Sequence, residues 1–264
     1  MLFKFTGRIL RLIWGHRKIL WMTIFIDLKK KYAGSLLGDV WIFLYPLLFL
    51  SVYLFVYLVL FDLRYPGLDT LGSVIYIFSG LVPYLAFMES MNGAVVSVKQ
   101  NIHLVRNIIL PIELIPLRIV LMVCLVQLVG LGMILLLTLF NHSWSWHLLA
   151  LPLAWFIQIL FLSGIALWVA PMGVILVDIS YFINLLTILL LFISPIGFMS
   201  SMLPSKLHLI VNLNPITYLL QPFRFVFLPS EWSWITWGIS LFLALSIFIS
   251  GCNIFSRFKN KLLD

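Results

Sequence analysis

The chain has 264 residues, of which 63% are hydrophobic and only 10% are charged, with a formal net charge of +8 and a mean hydropathy of +1.13. Soluble domains contain about 45–50% apolar and about 25% charged residues. This composition therefore excludes an ordinary soluble protein and predicts an integral membrane protein. Several runs meet the roughly 20-residue requirement for crossing about 30 Å of hydrocarbon, which leaves no room for a sizeable soluble domain.

Residues 1–39 are predicted to form a cytoplasmic region before the membrane domain, residues 40–264. Cations scattered among apolar residues exclude a cleavable signal peptide here. The cations Lys4, Arg8, Arg11 and Lys18 follow helical spacing on one face, and apolar side chains fill the other. This pattern is typical of an amphipathic interfacial helix on the cytoplasmic leaflet. The alternative, that the cations only set the topology, stays open.

Six apolar runs predict six transmembrane helices, at about Val40–Phe61, Leu71–Met88, Leu117–Phe140, Leu148–Leu176, Ile179–Met199 and Ile235–Phe255. With both termini in the cytoplasm, 14 of the 17 Lys and Arg residues lie inside, which is a strong positive-inside bias. The net charge therefore reflects topology and anionic lipid, and nucleic acid is not an expected partner.

The first span carries an aromatic residue at every fourth position: Trp41, Tyr45, Phe49, Tyr53, Tyr57 and Phe61. Such a row forms one inclined ridge on a helix, although a drift of about 40° per step lets only about three neighbours share a face. Packing against another helix or lipid explains the rings simply. The functional interpretation is a ridge that lines a translocation path, with flat apolar faces and polar tyrosine edges that suit sugar rings.

The stretch KQNIHLVRNIILPIELIPLR, residues 99–118, is predicted to connect the second and third spans on the cytoplasmic side. It mixes basic and apolar residues, which is typical of a short helix whose apolar side docks into a partner protein. An interfacial helix against lipid is the alternative.

Residues 200–234 are predicted to lie outside, yet they are too apolar for a solvated loop. Backbone at membrane depth must be helical or shielded by protein. We therefore expect two short re-entrant or interfacial helices, broken near Pro215, that partly cap the outer side. A loop packed on the outer surface is the alternative. Pro46 and Pro195 are expected to kink or break the first and fifth spans.

Residues that could carry out chemistry are sparse. The sequence shows no carboxylate pair, Ser-His-Asp set or metal-ligand cluster, so no catalytic or metal site is predicted. The phosphate-binding motif GxxxxGK[ST] is also absent, so any ATP that drives this protein is expected on a separate subunit.

Four ordered blocks resemble one known family: DLKKKYAGSLLGDVWIFLYPLL, NIHLVRNIILPIELIPL, DISYFINLLTILLLFISPIGF and LNPITYLLQPFRFVF. In order and spacing they are similar to the membrane subunit of ABC-2-type polysaccharide exporters, and most to the permeases that export lipopolysaccharide O-antigen and teichoic acid. The resemblance covers nearly the whole chain from about residue 27.

This resemblance implies an all-α, six-helix permease that works as a homodimer in the bacterial inner membrane. Two copies of a separate ATP-binding-cassette ATPase would bind ATP and Mg²⁺, and this chain would hold no cofactor. The cargo would be a glycan linked to undecaprenyl diphosphate. The resemblance also assigns ATPase coupling to residues within about 99–116, namely Asn101, His103, Leu104, Val105, Arg106 and Asn107. It assigns the outer gate to Pro195, Pro204, Asn214, Pro215, Tyr218 and Arg224.

In this context we expect the diphosphate to enter at the turn before the first span, formed by Lys29, Lys30, Lys31, Tyr32, Gly34, Ser35 and Gly38. The lysines would attract the anion, and the glycines would let backbone amides approach it. The simpler alternative is that the lysines anchor the helix to anionic lipid, at about 1 kcal/mol each, while the glycines only turn the chain. The ridge Trp41, Tyr45, Phe49, Tyr53 and Tyr57 would then receive the sugar chain.

Two other functions stay open at this stage. One is an ABC-2 permease for drugs or small lipids. The other is a membrane enzyme that acts on polyprenyl-linked glycans, which the lack of clustered carboxylates disfavours.

Overall fold

The computed structural model describes residues 2–62, 65–101, 110–141, 145–176, 178–199, 202–228 and 232–263, with the side chains of residues 6–259 inside those ranges. Every regular element within them is helical, which confirms the all-α class. The α-helices are α1 (Leu2–Gly15), α2 (Arg17–Tyr32), α3 (Trp41–Leu54), α4 (Thr70–Gln100), α5 (Leu114–Phe140), α6 (Leu151–Ile175), α7 (Ile179–Ile193), α8 (Ser205–Leu213), α9 (Pro215–Phe227) and α10 (Trp234–Leu263).

Three shorter elements extend these helices. A 3₁₀ turn, Gly38–Val40, leads into α3, and a π-helical segment, Phe55–Leu60, continues it. A second 3₁₀ turn, Trp146–Ala150, leads into α6. The helix α3 continues through Pro46 without a break. Of the two effects expected of this proline, a break is therefore wrong, and a kink stays a prediction.

Within the described ranges, five helical segments are long and apolar enough to cross a membrane: Gly38–Leu60, Thr70–Gln100, Leu114–Phe140, Trp146–Ile175 and Trp234–Lys259. They correspond to the first four predicted spans and the sixth. The second is longer than predicted, because α4 continues past Met88 to Gln100.

The fifth predicted span, Ile179–Met199, contains only the 15-residue helix α7. A helix of this length extends about 22 Å, which is less than the roughly 30 Å of hydrocarbon. It ends where Ser194 takes an extended conformation (φ −75°, ψ 144°), as expected for the residue before a proline. A sixth crossing helix therefore stays a prediction.

The N-terminal region contains two helices where the sequence predicts one. The chain leaves α1 at Gly15 and starts α2 at Arg17, so Lys18 lies on a different helix from Arg8 and Arg11. Ile9 of α1 and Ile24 of α2 are buried in a small core with the start of α5 and the end of α10. The position of α1 on a leaflet stays a prediction.

The main core is built around α4, which packs against α5, α6, α7 and α9. The helices α6 and α10 also pack closely, because a Cβ on Gly164 would lie 2.6 Å from the backbone of Ile247 and Phe248. Small residues allow such approaches between helices in membranes. By contrast α3 lies at the periphery, since Leu50 is the one buried residue among its 14.

Candidate functional site

The three lysines occupy the last turn of α2, where successive side chains point about 100° apart. They therefore reach different surroundings. Lys31 donates to both carboxylate oxygens of Glu89 on α4, at 3.0 and 3.2 Å, and its Nζ lies 5.6 Å from the centroid of the Tyr32 ring. Burial lowers the pKa of Lys31, but the charge and hydrogen bonds of Glu89 outweigh that effect, so this pKa lies above its ordinary value.

The glycine turn after α2 uses left-handed backbone at two positions, Gly34 (φ +84°) and Gly38 (φ +51°). Glycine adopts such angles without strain. The amides of Ser35 and Gly38 already donate inside the turn, to Tyr32 O at 3.2 Å and to Ser35 Oγ at 3.1 Å. An anion could use these two amides only after the turn opens, so their predicted role stays a prediction.

A large cavity lies beside the lysines, between α2, the end of α4 and the start of α5. Its volume is about 570 Å³, and its lining includes Lys30 and Lys31 but not Lys29. Arg118 of α5 also lines it, although only 3% of the residue is exposed. The guanidinium of Arg118 lies 3.0 Å from Asp27 Oδ2 and donates to Asn101 Oδ1 at 3.0 Å.

Sequence reasoning missed Arg118 and Asp27 as site residues. In the sequence Arg118 marks only the end of an apolar run, and its carboxylate partner lies on α2. Ion pairs between distant helices leave no spacing signal along the chain. The available signal was the presence of an arginine next to a long apolar run, since ionisable groups there are costly and often functional.

The aromatic row on α3 is divided in two by the structure. Tyr45 and Phe49 form one ring pair with centroids 6.4 Å apart. Tyr53 stacks on Tyr57 at 4.5 Å, and Tyr57 meets Phe61 edge-on at 6.0 Å. This division agrees with the expectation that about three neighbours share a face.

The two halves of the row differ in their surroundings. Tyr45, which is 44% exposed, lines a small cavity of about 40 Å³ between α3, α4 and α5. Gln127 lines the same cavity and donates to Gln158, which in turn donates to Pro83 O at 3.1 Å. At the outer half, Tyr57 lies against Gly197, where any Cβ would overlap the ring. Tyr53 and Tyr57 therefore pack partly against their own chain.

Side chains from other elements donate hydrogen bonds to four successive backbone carbonyls in the segment after α7. Arg224 of α9 donates to Pro195 O and to Ile196 O, the latter at 3.3 Å. Tyr65 donates to Gly197 O at 2.6 Å, and Tyr76 donates to Phe198 O at 3.0 Å. Non-helical backbone in a membrane requires such shielding.

The predicted gate residues lie around this segment. Two short helices, α8 and α9, meet at Asn214, while their re-entrant or interfacial position stays a prediction. Asn214 caps α9 by accepting from Ile216 N at 3.0 Å, and it donates to Ser194 Oγ at 2.9 Å. Pro204 and Pro215 stand at the starts of α8 and α9, and Tyr218 O accepts from Ser240 of α10 at 2.7 Å. The structure thus connects Pro195, Asn214 and Arg224, while their gating role stays a prediction.

Most of the predicted coupling residues, from His103 to Asn107, lie outside the described residues. Asn101 is described and ends α4. Leu110, the first described residue after this gap, is only 2% exposed. It is buried with Ile112 and Leu114 against the N-terminal helices and α10. Among the described residues, no three His, Cys, Asp or Glu side chains are grouped to hold a metal ion.

Five long apolar helices among the described residues are typical of a multi-pass membrane protein, and the relatives described next are named permeases. No family model matches the chain. An O-antigen export system permease protein RfbA from Klebsiella pneumoniae is 24% identical over 243 residues, which cover 90% of this chain and 91% of that protein. A second Klebsiella pneumoniae protein of that name is 25% identical over 244 residues, with coverage of 90% and 91%.

A third protein named O-antigen export system permease protein RfbA, from Myxococcus xanthus, is 25% identical over 223 residues, with coverage of 83% of this chain and 84% of that protein. The resemblance indicated by the four sequence blocks is therefore confirmed. The chain is therefore similar, over most of its length, to proteins named export permeases.

Proposed function

We propose that this chain is the membrane subunit of an ATP-driven exporter that moves a polysaccharide linked to undecaprenyl diphosphate, such as an O-antigen, across the bacterial inner membrane. The observation that carries the proposal is the similarity over about 90% of the chain to permeases named for O-antigen export. In this proposal the chain is multi-pass with both termini in the cytoplasm, and a separate ATPase supplies the energy.

The shape of α3 supports a passage formed by two copies of the chain. Its aromatic row is only partly covered by the rest of the subunit, and Phe43 (58% exposed) and Phe55 (53% exposed) extend the open surface. Homodimers with twofold symmetry are the commonest oligomers. In a dimer, the half of the row around Tyr45 would face the passage. Lipid covers the remaining apolar surface.

In this proposal the cytoplasmic and outer ends of the membrane domain have separate functions. The segment around residues 99–109 contacts the ATPase and passes on its conformational change. The helices α8 and α9 form the outer gate. The segment from Pro195 to Phe198 is the natural hinge of this gate, because it is irregular and its carbonyls are bound by side chains that could exchange partners.

Deletion of the gene in its own host tests the cargo. We expect loss of surface polysaccharide and accumulation of the lipid-linked glycan inside the cell, both restored by the wild-type gene. A strain with normal surface glycan and altered tolerance of drugs or small lipids would instead indicate the small-molecule exporter. Glycan processing by the purified chain without an ATPase would indicate the enzyme.

Replacement of Tyr45 and Phe49 by leucine tests the passage. Leucine keeps the helix apolar but removes the flat ring faces, so export should slow while protein abundance stays normal. Leucine at Phe61, which is 65% exposed at the far end of the row, is the matched control. Export at the normal rate in the Tyr45 and Phe49 variant would exclude these rings from the passage.

A further inference from the structure

The cavity between α2, α4 and α5 is lined by three cations and one carboxylate, and one of the cations donates to Asn101 at the start of the predicted coupling segment. We propose that it receives the diphosphate group of the lipid carrier and that Arg118 transmits its occupancy to the segment after Asn101. This inference rests on the proposed export function and adds a specific site and a route of coupling to it.

The first argument is the geometry of α2. Five residues of this helix line the cavity, and they recur with the 3, 4, 7, 8 spacing of a single helical face: Thr23, Ile26, Asp27, Lys30 and Lys31. All three lysines are exposed, but Lys29 falls outside this set. The cavity volume of about 570 Å³ lies within the range of about 300–1,000 Å³ that is usual for small-molecule sites.

The second argument is charge. The lining contains three cations, Lys30, Lys31 and Arg118, and one carboxylate, Asp27. Lys31 is also paired with Glu89, which lies just outside the lining. The cavity therefore keeps a cationic excess that suits a diphosphate. The guanidinium of Arg118 is a planar donor that binds phosphate oxygens in pairs.

The third argument is the present partner of Arg118. Asp27 Oδ2 lies 3.0 Å from Arg118 Nε inside the cavity wall, so a carboxylate of the chain itself occupies a position that a phosphate oxygen would take. A bound diphosphate would compete with Asp27 for the guanidinium. This makes Asp27 an internal competitor whose removal should favour the ligand.

The fourth argument is the connection to the coupling segment. Arg118 Nη2 donates to Asn101 Oδ1 at 3.0 Å, and Asn101 is the last described residue before residues 102–109. Asn101 also holds the end of α4 by donating to Ser97 O at 2.8 Å. A shift of the guanidinium towards a ligand would therefore loosen the base of the segment that is proposed to contact the ATPase.

The test uses the complete complex of this chain with its ATPase in liposomes of phosphatidylethanolamine. Undecaprenyl diphosphate is titrated, and both its binding and the ATPase rate are measured. We expect Lys30→Gln to raise the half-maximal concentration about tenfold or more, since hydrogen bonds to charged groups contribute substantially to binding. Lys18→Gln removes an exposed charge from the same helix without touching the cavity, so it should match the wild type.

Two further variants separate binding from folding. Asp27→Asn should lower the half-maximal concentration several-fold, whereas a purely structural role of the Asp27–Arg118 pair predicts weaker binding or lost assembly. Asn101→Ala should leave binding intact but reduce the stimulation of the ATPase. Equal titrations for Lys30→Gln and Lys18→Gln would overturn the site, and unchanged stimulation in Asn101→Ala would overturn the route.

Separate arms identify the source of the anion. Inorganic diphosphate bound as tightly as the lipid would show that a free anion is the ligand, and equal stimulation by phosphatidylglycerol would show that any anionic lipid suffices. Either result overturns the assignment to the carrier. Normal glycan export in the gene deletion strain would refute the proposed function. If the wild type exports glycan but Lys30→Gln binds undecaprenyl diphosphate as tightly as the wild type does, this inference alone is refuted.

Discussion

The guanidinium of Arg224 lies over the ring of Tyr76, with 4.0 Å between Cζ and the ring centroid, and joins α9 to α4. Both side chains also donate to the irregular segment after α7, Arg224 to Pro195 and Ile196 and Tyr76 to Phe198. One arginine and one tyrosine thus hold three helices around a break in the backbone. Because the guanidinium is delocalised, it can stack and donate at the same time.

Replacement of Arg224 by leucine should be strongly destabilising. The side chain is only 5% exposed, and its loss leaves two buried carbonyls without their donor, each at a cost of about 1–3 kcal/mol. We expect a lower midpoint of thermal unfolding in detergent. Lys206→Leu removes a cation from the exposed surface of α8 and is the control. Equal midpoints in the two variants would show that the carbonyl contacts of Arg224 do not stabilise the fold.

Gly197→Ala should disturb the contact between the hinge segment and α3. The added methyl group would overlap the ring of Tyr57, so either the hinge segment or the π-helical continuation of α3 must move. We expect reduced stability and reduced export. The second change Tyr57→Ala should restore much of the stability in Gly197→Ala, because it opens space for the methyl group. A double variant whose loss equals the sum of the two single losses would contradict direct contact.

Gly164→Val should separate α6 from α10. A Cβ added at Gly164 would lie 2.6 Å from the backbone of Ile247 and Phe248, and this backbone cannot move aside as a flexible side chain would. We expect little folded protein in the membrane fraction. Gly132→Val on α5 is the matched control, since a Cβ there meets nothing within 4 Å. Similar amounts of folded protein for both variants would show that close packing at Gly164 is not required.

The Lys31–Glu89 pair should contribute stability over the whole neutral range. The folded-state pKa of Lys31 lies above its unfolded value of 10.5, so its contribution is fully present below about pH 10.5 and is lost only as pH rises through the higher folded pKa. The difference in unfolding midpoint between wild type and Lys31→Gln should therefore stay constant from about pH 6 to 9. A difference that disappears within this interval would mean that another group controls the pair.

The all-helical class and the five described helices that are long enough to cross a membrane could be predicted from the sequence, because a single apolar segment in hydrocarbon can satisfy its backbone groups only as a helix. The break near Pro215 was predictable for a similar reason, since proline removes a backbone donor. The fifth span shows the limit of this reasoning. Apolar length extended it to Met199, while the Ser194–Pro195 step ended the helix at Ile193.

The candidate site also has some features that the sequence predicts and others that depend on the tertiary structure. The sequence by itself determined that three lysines precede an aromatic helix, because both features are local and have a fixed helical period. Only the tertiary structure decided that Lys30 faces a cavity, that Lys31 pairs with Glu89 and that Lys29 does neither. The partners Asp27, Asn101 and Arg118 come together through the packing of three helices, and contacts between distant segments leave no periodic trace along a single chain.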